Sequence, residues 1–171
     1  MQSKNESYLT FKLGNEVFGA SVKHVLEIIE VPRITQVPKA PKFMRGVVNL
    51  RGKVLPVVDT RVKFGMKTTK DTVDTCIVVL TIQTETQEII LGALVDAIDA
   101  VLEINHQDIQ APPVYETGYN SDLLTGMFKR EENFILILDF RKVFSNAEIL
   151  ELTRPEETPE SKQKKKKELA N

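Results

Sequence analysis

Gly46-Val47-Val48-Asn49-Leu50-Arg51-Gly52-Lys53-Val54-Leu55-Pro56-Val57-Val58-Asp59-Thr60-Arg61-Val62-Lys63-Phe64 matches a second stretch, Gly126-Met127-Phe128-Lys129-Arg130-Glu131-Glu132-Asn133-Phe134-Ile135-Leu136-Ile137-Leu138-Asp139-Phe140-Arg141-Lys142-Val143-Phe144, without a gap at an offset of 80 residues. Gly46, Asp59, Arg61 and Phe64 fall on Gly126, Asp139, Arg141 and Phe144, so polar positions align along with apolar ones. A second pairing, offset by 73, lays Phe18-Gly19-Ala20 on Leu91-Gly92-Ala93, Val22 on Val95, Val25 on Ile98 and Ile28 on Val101. In each half the Gly-Ala strand comes first and the strand ending in Asp-x-Arg-x-x-Phe comes later. A self-match at fixed offset is the mark of a repeated supersecondary unit. The expected body is two similar β modules docked together, with a seam of the kind where ligands and partner segments bind.

At 171 residues the chain has the size of one average domain or two very small ones. Each half alone would bury only a thin core, so the two are expected to share one. A net charge of −1 gives no field that would gather nucleic acid. With 42% hydrophobic and 27% charged residues the composition is that of a globular protein. No run approaches the ~18 apolar residues that span a bilayer. The opening Met1-Gln2-Ser3-Lys4-Asn5-Glu6 lacks the apolar stretch of a signal peptide. Cys76 has no second cysteine to pair with, which fits a reducing cytoplasm. A soluble, cytoplasmic protein is expected.

Short apolar runs and period-two patterns dominate the chain. Tyr8 to Leu13 and Val17 to Ala20 read as a hairpin turning at Gly14-Asn15, residues that tolerate positive φ. Ser21 to Val31 reads as one helical turn running into a strand. Pro32, Pro38 and Pro41 stiffen the connection that follows, because proline cannot continue a ladder. Gly46 to Leu50 and Val54 to Val58 form a second hairpin, turning at Arg51-Gly52-Lys53. Lys67 to Asp74 is a polar linker, and Thr75 to Ile82 with Glu88 to Val95 repeat the opening hairpin around Gln83–Gln87. Pro112-Pro113 and the Tyr115–Asp122 loop stand where the first half has its proline-rich connection. Ser145-Asn146-Ala147-Glu148 is a capping box that starts a short helix through Leu152. From Arg154 the chain turns to Pro, Glu and Lys, ending Lys162-Gln163-Lys164-Lys165-Lys166-Lys167, and is expected to be a disordered tail.

Catalytic constellations are not found. His24 and His106 have no Cys or His at metal-ligand spacing, and no Gly-x-Ser-x-Gly elbow exists. Gly65-Met66-Lys67-Thr68 imitates the end of a phosphate loop, but Thr60 stands where that loop needs glycine. Asp59 and Asp139 are each followed two residues later by arginine, so they read as local ion pairs or helix caps and not as an acid pair. Cys76, within Thr75-Cys76-Ile77-Val78-Val79-Leu80, reads as a small hydrophobe. The sequence favours a binding module over an enzyme, with no cofactor or metal.

The hairpin Gly46 to Asp59, which displays Arg51 at its tip, resembles the signature of the CheW family, the coupling proteins of bacterial chemotaxis arrays. The likeness continues through Val25-x-Glu27-Ile28-Ile29 and the proline-containing link, Arg61-x-Lys63-Phe64-Gly65, Val95-Asp96 and Leu124-Thr125-Gly126, covering about Tyr8 to Leu152. The resemblance implies an all-β fold with short helices: two similar five-stranded SH3-like β-barrels packed together, with a groove between them and a short C-terminal helix. On that pattern residues 1–152 form a CheW-like domain. Its two halves lie at about 8–66 and 75–144, with exchange of terminal elements left open, and a helix follows at 145–152. Residues 153–171 are the Lys/Glu-rich tail, which the family pattern does not include.

The resemblance further implies a non-enzymatic adaptor that links the cytoplasmic tip of methyl-accepting chemoreceptors to the regulatory domain of the histidine kinase CheA. It would be cytoplasmic and recruited to membrane-associated receptor arrays. Carried over residue by residue, Arg51, Val25 and Ile28 are the receptor-binding candidates. Glu27 and Gly46 are candidates for the kinase or another partner, while Asn49 and Gly52 shape the turn. The alternatives are a small-ligand-binding double β-barrel and a CheW-like scaffold of a non-chemotaxis system. A ligand-binding barrel would need convergent polar groups in its groove, where the sequence supplies mainly Val, Ile and Leu.

Overall fold

The structure is a computed structural model that describes residues 4–67, 70–111 and 123–153. Pro112-Pro113, the Tyr115–Asp122 loop and the tail from Arg154 lie outside the described residues.

The strands run β1 (Asn5–Leu13), β2 (Glu16–Ser21), β3 (Val25–Glu30), β4 (Met44–Leu50) and β5 (Lys53–Asp59), followed by a four-residue helix α1 (Thr60–Lys63). They continue as β6 (Cys76–Gln83), β7 (Glu88–Val95), β8 (Ala97–Asn105), β9 (Ile109–Gln110), β10 (Leu124–Arg130) and β11 (Asn133–Leu138), ending in α2 (Phe140–Val143) and α3 (Asn146–Leu152). As the sequence suggests, Val22–His24 is a single 3-10 turn entering β3. The second hairpin is tighter than expected: Leu50 pairs with Lys53, so the turn is Arg51-Gly52 alone. Ser145 and Glu148 form the capping box of α3 as read.

Two sheets result. One has the order β8-β1-β2-β11-β10-β9, the other β3-β6-β7-β5-β4. The sixth strand of the first is only β9, which pairs with Met127 and Phe128 of β10. At the matching place in the other sheet, Thr35 bridges Val47 and stops there. The two sheets are thus the same pattern with one pairing slightly longer.

Sheets and sequence repeat do not coincide. β11 runs parallel to β2, with Ile137 opposite Gly19, and β5 runs parallel to β7, with Val57 opposite Gly92. Each Asp-x-Arg strand therefore joins the Gly-Ala strand of the other half. The close packing is unequal: a Cβ on Gly92 would lie 2.6 Å from the Ile77 side chain, whereas one on Gly19 would meet Ile135 at 3.4 Å, an ordinary contact.

The largest apolar cluster draws on both sheets. Leu9, Phe11, Leu13 and Phe18 meet Val78, Leu80, Ile82 and Leu91, closed off by Phe140, Phe144, Ile149 and Leu152. Burying each such side chain contributes roughly 1.5–3 kcal/mol, so the sheets stand or fall together. A second cluster lies within one sheet, where Val48 of β4 and Ile29 of β3 pack on Val57, Ile77 and Val79. β3 and β4 are the two ends of that sheet's order, so the sheet curls enough to bring both onto one cluster.

Candidate functional site

The curl of the β3-β6-β7-β5-β4 sheet sets one hairpin tip against the opposite edge. Arg51 and Gly52 have φ of +51° and +82°. Two positive φ values in a two-residue loop match the twist of the flanking strands. The Gly52 N–H donates to Asn49 Oδ1 at 2.8 Å, which fixes the turn from inside the hairpin. Arg51 then reaches Glu27 on β3 with both prongs, Nη1 to Oε1 at 3.0 Å and Nη2 to Oε2 at 2.6 Å. Such a fork fixes orientation as well as distance. Its hydrogen bonds and charge raise the Arg51 pKa above the ordinary arginine value. The Arg51 side chain is 73% exposed and that of Glu27 26%.

Next to this pair the β3 edge carries apolar surface. Leu26 and Ile28 flank Glu27 and are both exposed, as is Val54 just past the turn. Val25 is half-buried and packs on the core shared by the sheets. The structure thus brings together Arg51, Glu27, Asn49 and Gly52, with Ile28 beside them. Gly46 is different in kind: it is buried, and its φ is +149°. A Cβ there would run into the Thr35 carbonyl and come within 2.7 Å of the Ile34 side chain. Its task is to let residues 34–35 cross β4.

Beneath the surface lies a polar cluster of which the sequence reading saw only one bond. Arg61 is 1% exposed. Its Nε donates to Asp59 Oδ1 at 3.1 Å and its Nη1 to Asp96 Oδ1 at 2.9 Å, while Asp71 lies 3.5 Å from Nη2. Arg45 pairs with Asp71 at 2.9 Å and with Asp59 at 3.5 Å. Asp96 also accepts the Gly14 N–H at 2.6 Å, which ties the β1–β2 turn to the same cluster. Burial alone would lower the Arg61 pKa; the hydrogen bonds and charge of Asp59, helped by Asp96 and Asp71, raise it instead. The Asp-x-Arg spacing announced the Asp59 bond, but nothing local to Arg61 announces Asp96, 35 positions away.

A groove of about 820 Å³ runs past the same hairpin, walled by Met44, Val47, Val54 and Pro56, by Ile89 and Ile90 of β7, and by Leu152 of α3. α3 is held there by Lys63, whose Nζ meets Glu148 Oε2 at 2.6 Å and lies 5.0 Å from the Phe43 ring centre. Among the described residues no group of three or more His, Cys, Asp or Glu side chains could hold a metal ion. No described helix is long and apolar enough to cross a membrane. The polar groups here form ion pairs, caps and turns, an arrangement suited to presenting a surface.

The model of the CheW-like domain matches residues 7–148. The chain belongs to the CheW-like family. Chemotaxis protein CheW of Helicobacter pylori is 32% identical over 146 residues, covering 83% of this chain and 85% of that protein. Chemotaxis protein CheW of Rhizobium meliloti is 31% identical over 140 residues, with 82% and 88% covered. Among solved structures, the CheW scaffolding protein of Thermoanaerobacter tengcongensis superposes with a TM-score of 0.74 at 28% identity, covering 86% of this chain and 92% of that one. Arg51, Glu27 and the curled sheet that carries them all lie within the matched residues 7–148.

Proposed function

We propose that this CheW-like chain is a non-enzymatic adaptor that couples methyl-accepting chemoreceptors to the histidine kinase CheA. The observation that carries the reading is the exposed, rigidly turned Arg51, forked onto Glu27 beside exposed Leu26 and Ile28. An exposed guanidinium with an apolar border suits a protein partner, because charge gives register and apolar contact gives affinity. Arg51, Val25 and Ile28 serve the receptor; Glu27 serves the kinase or another partner. Since Glu27 holds Arg51 directly, the two surfaces share one ion pair. Gly46 acts by letting β4 be crossed, and Asn49 and Gly52 by setting the turn. The protein works in the cytoplasm and is recruited to receptor arrays at the membrane.

The test is CheA autophosphorylation with and without a receptor cytoplasmic fragment. Addition of the chain should raise kinase activity only when receptor is present. Equal stimulation without receptor would defeat the coupling reading, and co-sedimentation of chain, receptor and kinase should succeed or fail with it.

A further inference from the structure

The two edge strands β3 and β8 carry a bulge at the same place. In β3 the register passes from Val25↔Leu80 to Glu27↔Val79, leaving Leu26 unpaired. In β8 it passes from Ile98↔Phe11 to Ala100↔Thr10, leaving Asp99 unpaired. At the offset of 73 these are equivalent residues. A bulge interrupts the ladder and strands a backbone amide, so what surrounds it decides how firmly the strand is held.

The two surroundings differ. Opposite the β8 bulge stands Thr10, fully buried. Its Oγ1 accepts the Ala100 N–H at 3.0 Å and donates to Asp99 Oδ2 at 2.8 Å. The Ala100 carbonyl, 3.1 Å from the same hydroxyl, competes for its proton less well than a carboxylate does. Asp99 Oδ2 in turn accepts from Arg130 Nη1 at 2.8 Å. A continuous chain thus runs from the amide beside the bulge, through the bulged residue, to the end of β10. Hydrogen bonding to Arg130, opposed by partial burial and helped by Thr10, holds the Asp99 carboxyl below the ordinary aspartate range. Opposite the β3 bulge stands Val79, and the bulged residue is Leu26, 53% exposed. Neither side chain has a polar atom. Among the described residues, the side-chain tie on that edge is Glu27 to the solvent-exposed Arg51.

We propose that the Thr10–Asp99–Arg130 chain locks the β8 bulge, and that β3, whose equivalent bulge is lined by Val79 and Leu26, is the compliant edge of the molecule. The chain alone has this property, whatever it binds. On the adaptor reading above, β8 with the sheet behind it is the fixed frame, and the edge carrying Glu27 is the one that adjusts when a partner docks. A hydrogen-bond chain inside a protein is stiff when every member is satisfied, and loss of one member loosens the rest.

The experiment is residue-resolved amide exchange on the full chain without any partner, so that it stands apart from the coupling assay. In the wild type, the Ala100 amide should exchange at least tenfold more slowly than Glu27, after correction for intrinsic rates. Thr10→Val should accelerate Ala100 by tenfold or more and leave Glu27 unchanged, while Thr10→Ser, which keeps the hydroxyl, should retain the slow rate. If Thr10→Val lowers the melting temperature enough to speed every amide, Asp99→Asn decides: acceleration confined to β8 and the β10–β11 hairpin supports the lock. Uniform acceleration or none in Asp99→Asn overturns it, as does a wild-type Ala100 amide as fast as Glu27.

Discussion

Asp59 and Asp139 occupy the same place in two copies of one turn. Asp59 is the last residue of β5 and Asp139 directly follows β11; each caps a four-residue helix and accepts the backbone N–H of the arginine two residues on, at 3.1 Å in both cases. Their own amides bond the carbonyls of Phe43 and Leu123, which are themselves equivalent at the 80-residue offset. What differs is the cover. Arg61 is buried under Asp96, Asp71 and the β1–β2 turn, whereas the Arg141 side chain is 66% exposed.

Equivalent substitutions should therefore have unequal costs. Asp139→Ala removes a cap and an exposed pair, worth about 0.5–2 kcal/mol. Asp59→Ala leaves the buried Arg61 short of its nearest counter-charge, a change worth about 3–5 kcal/mol. Urea unfolding of the two variants checks this. Equal midpoints would show that Asp96 and Asp71 suffice for Arg61 without Asp59.

A second contrast lies between two glycines of one hairpin. Gly46→Ala places a methyl group against the Thr35 backbone at a φ that L residues avoid, and should cost about 2–4 kcal/mol. Gly52→Ala meets nothing within 4 Å, so only the positive φ opposes it, at about 1–2 kcal/mol. Thermal melts should rank the variants in that order, and receptor binding should follow the fold in the first case only.

Much of this was legible in the sequence, and the limits have a common cause. The repeat, the Gly14-Asn15 turn, the capping box at Ser145 and Glu148 and the paired Asp-x-Arg turns are all local patterns, set by residues within a few positions of each other. Arg51 was marked by its turn. Its bond to Glu27, the approach of Asp96 to Arg61 and the crossing of Asp-x-Arg strands between halves depend on how the sheets curl and pair, which period-two patterning does not encode. The bulges at Leu26 and Asp99 escaped notice for the same reason: an unpaired residue looks like its neighbours until its partner strand is known.

Acid should loosen α3 first at its link to α1. Burial would raise the Glu148 pKa, but hydrogen bonds from Lys63 and Ser145 bring it below the usual 4.5. A carboxylate depressed in the folded state takes up fewer protons there than in the unfolded chain. Its contribution is complete above the unfolded value near 4.5 and is lost as pH falls through the lower folded value. Lys63→Met keeps the apolar stem over Phe43 and Phe144 while removing the charge. The variant should be less stable at neutral pH and converge on the wild type as pH drops below 4.5 through the lower folded value. Urea midpoints that run parallel for the two proteins from pH 6 down would contradict this linkage.

Charge reversal at Arg51 should separate partner binding from folding. The side chain projects from a two-residue turn into solvent, so no core contact is lost with it. The backbone there needs positive φ, yet Glu131 adopts φ +57° at the equivalent turn of the second half, so glutamate fits the geometry. Arg51→Glu should melt within a few degrees of the wild type. It nonetheless sets two carboxylates face to face across the β3 seam, and presents a like charge to any acidic group that the guanidinium would meet. Receptor-fragment binding should fall tenfold or more, with kinase regulatory domain binding less affected. The paired change Glu27→Arg with Arg51→Glu restores an ion pair in reversed order. If the seam alone matters, receptor binding returns with it; if the guanidinium itself meets the receptor, binding stays lost although the melt recovers. Titrations of both variants with the receptor fragment, beside their melts, decide between these, and wild-type affinity in Arg51→Glu would remove Arg51 from the receptor surface altogether.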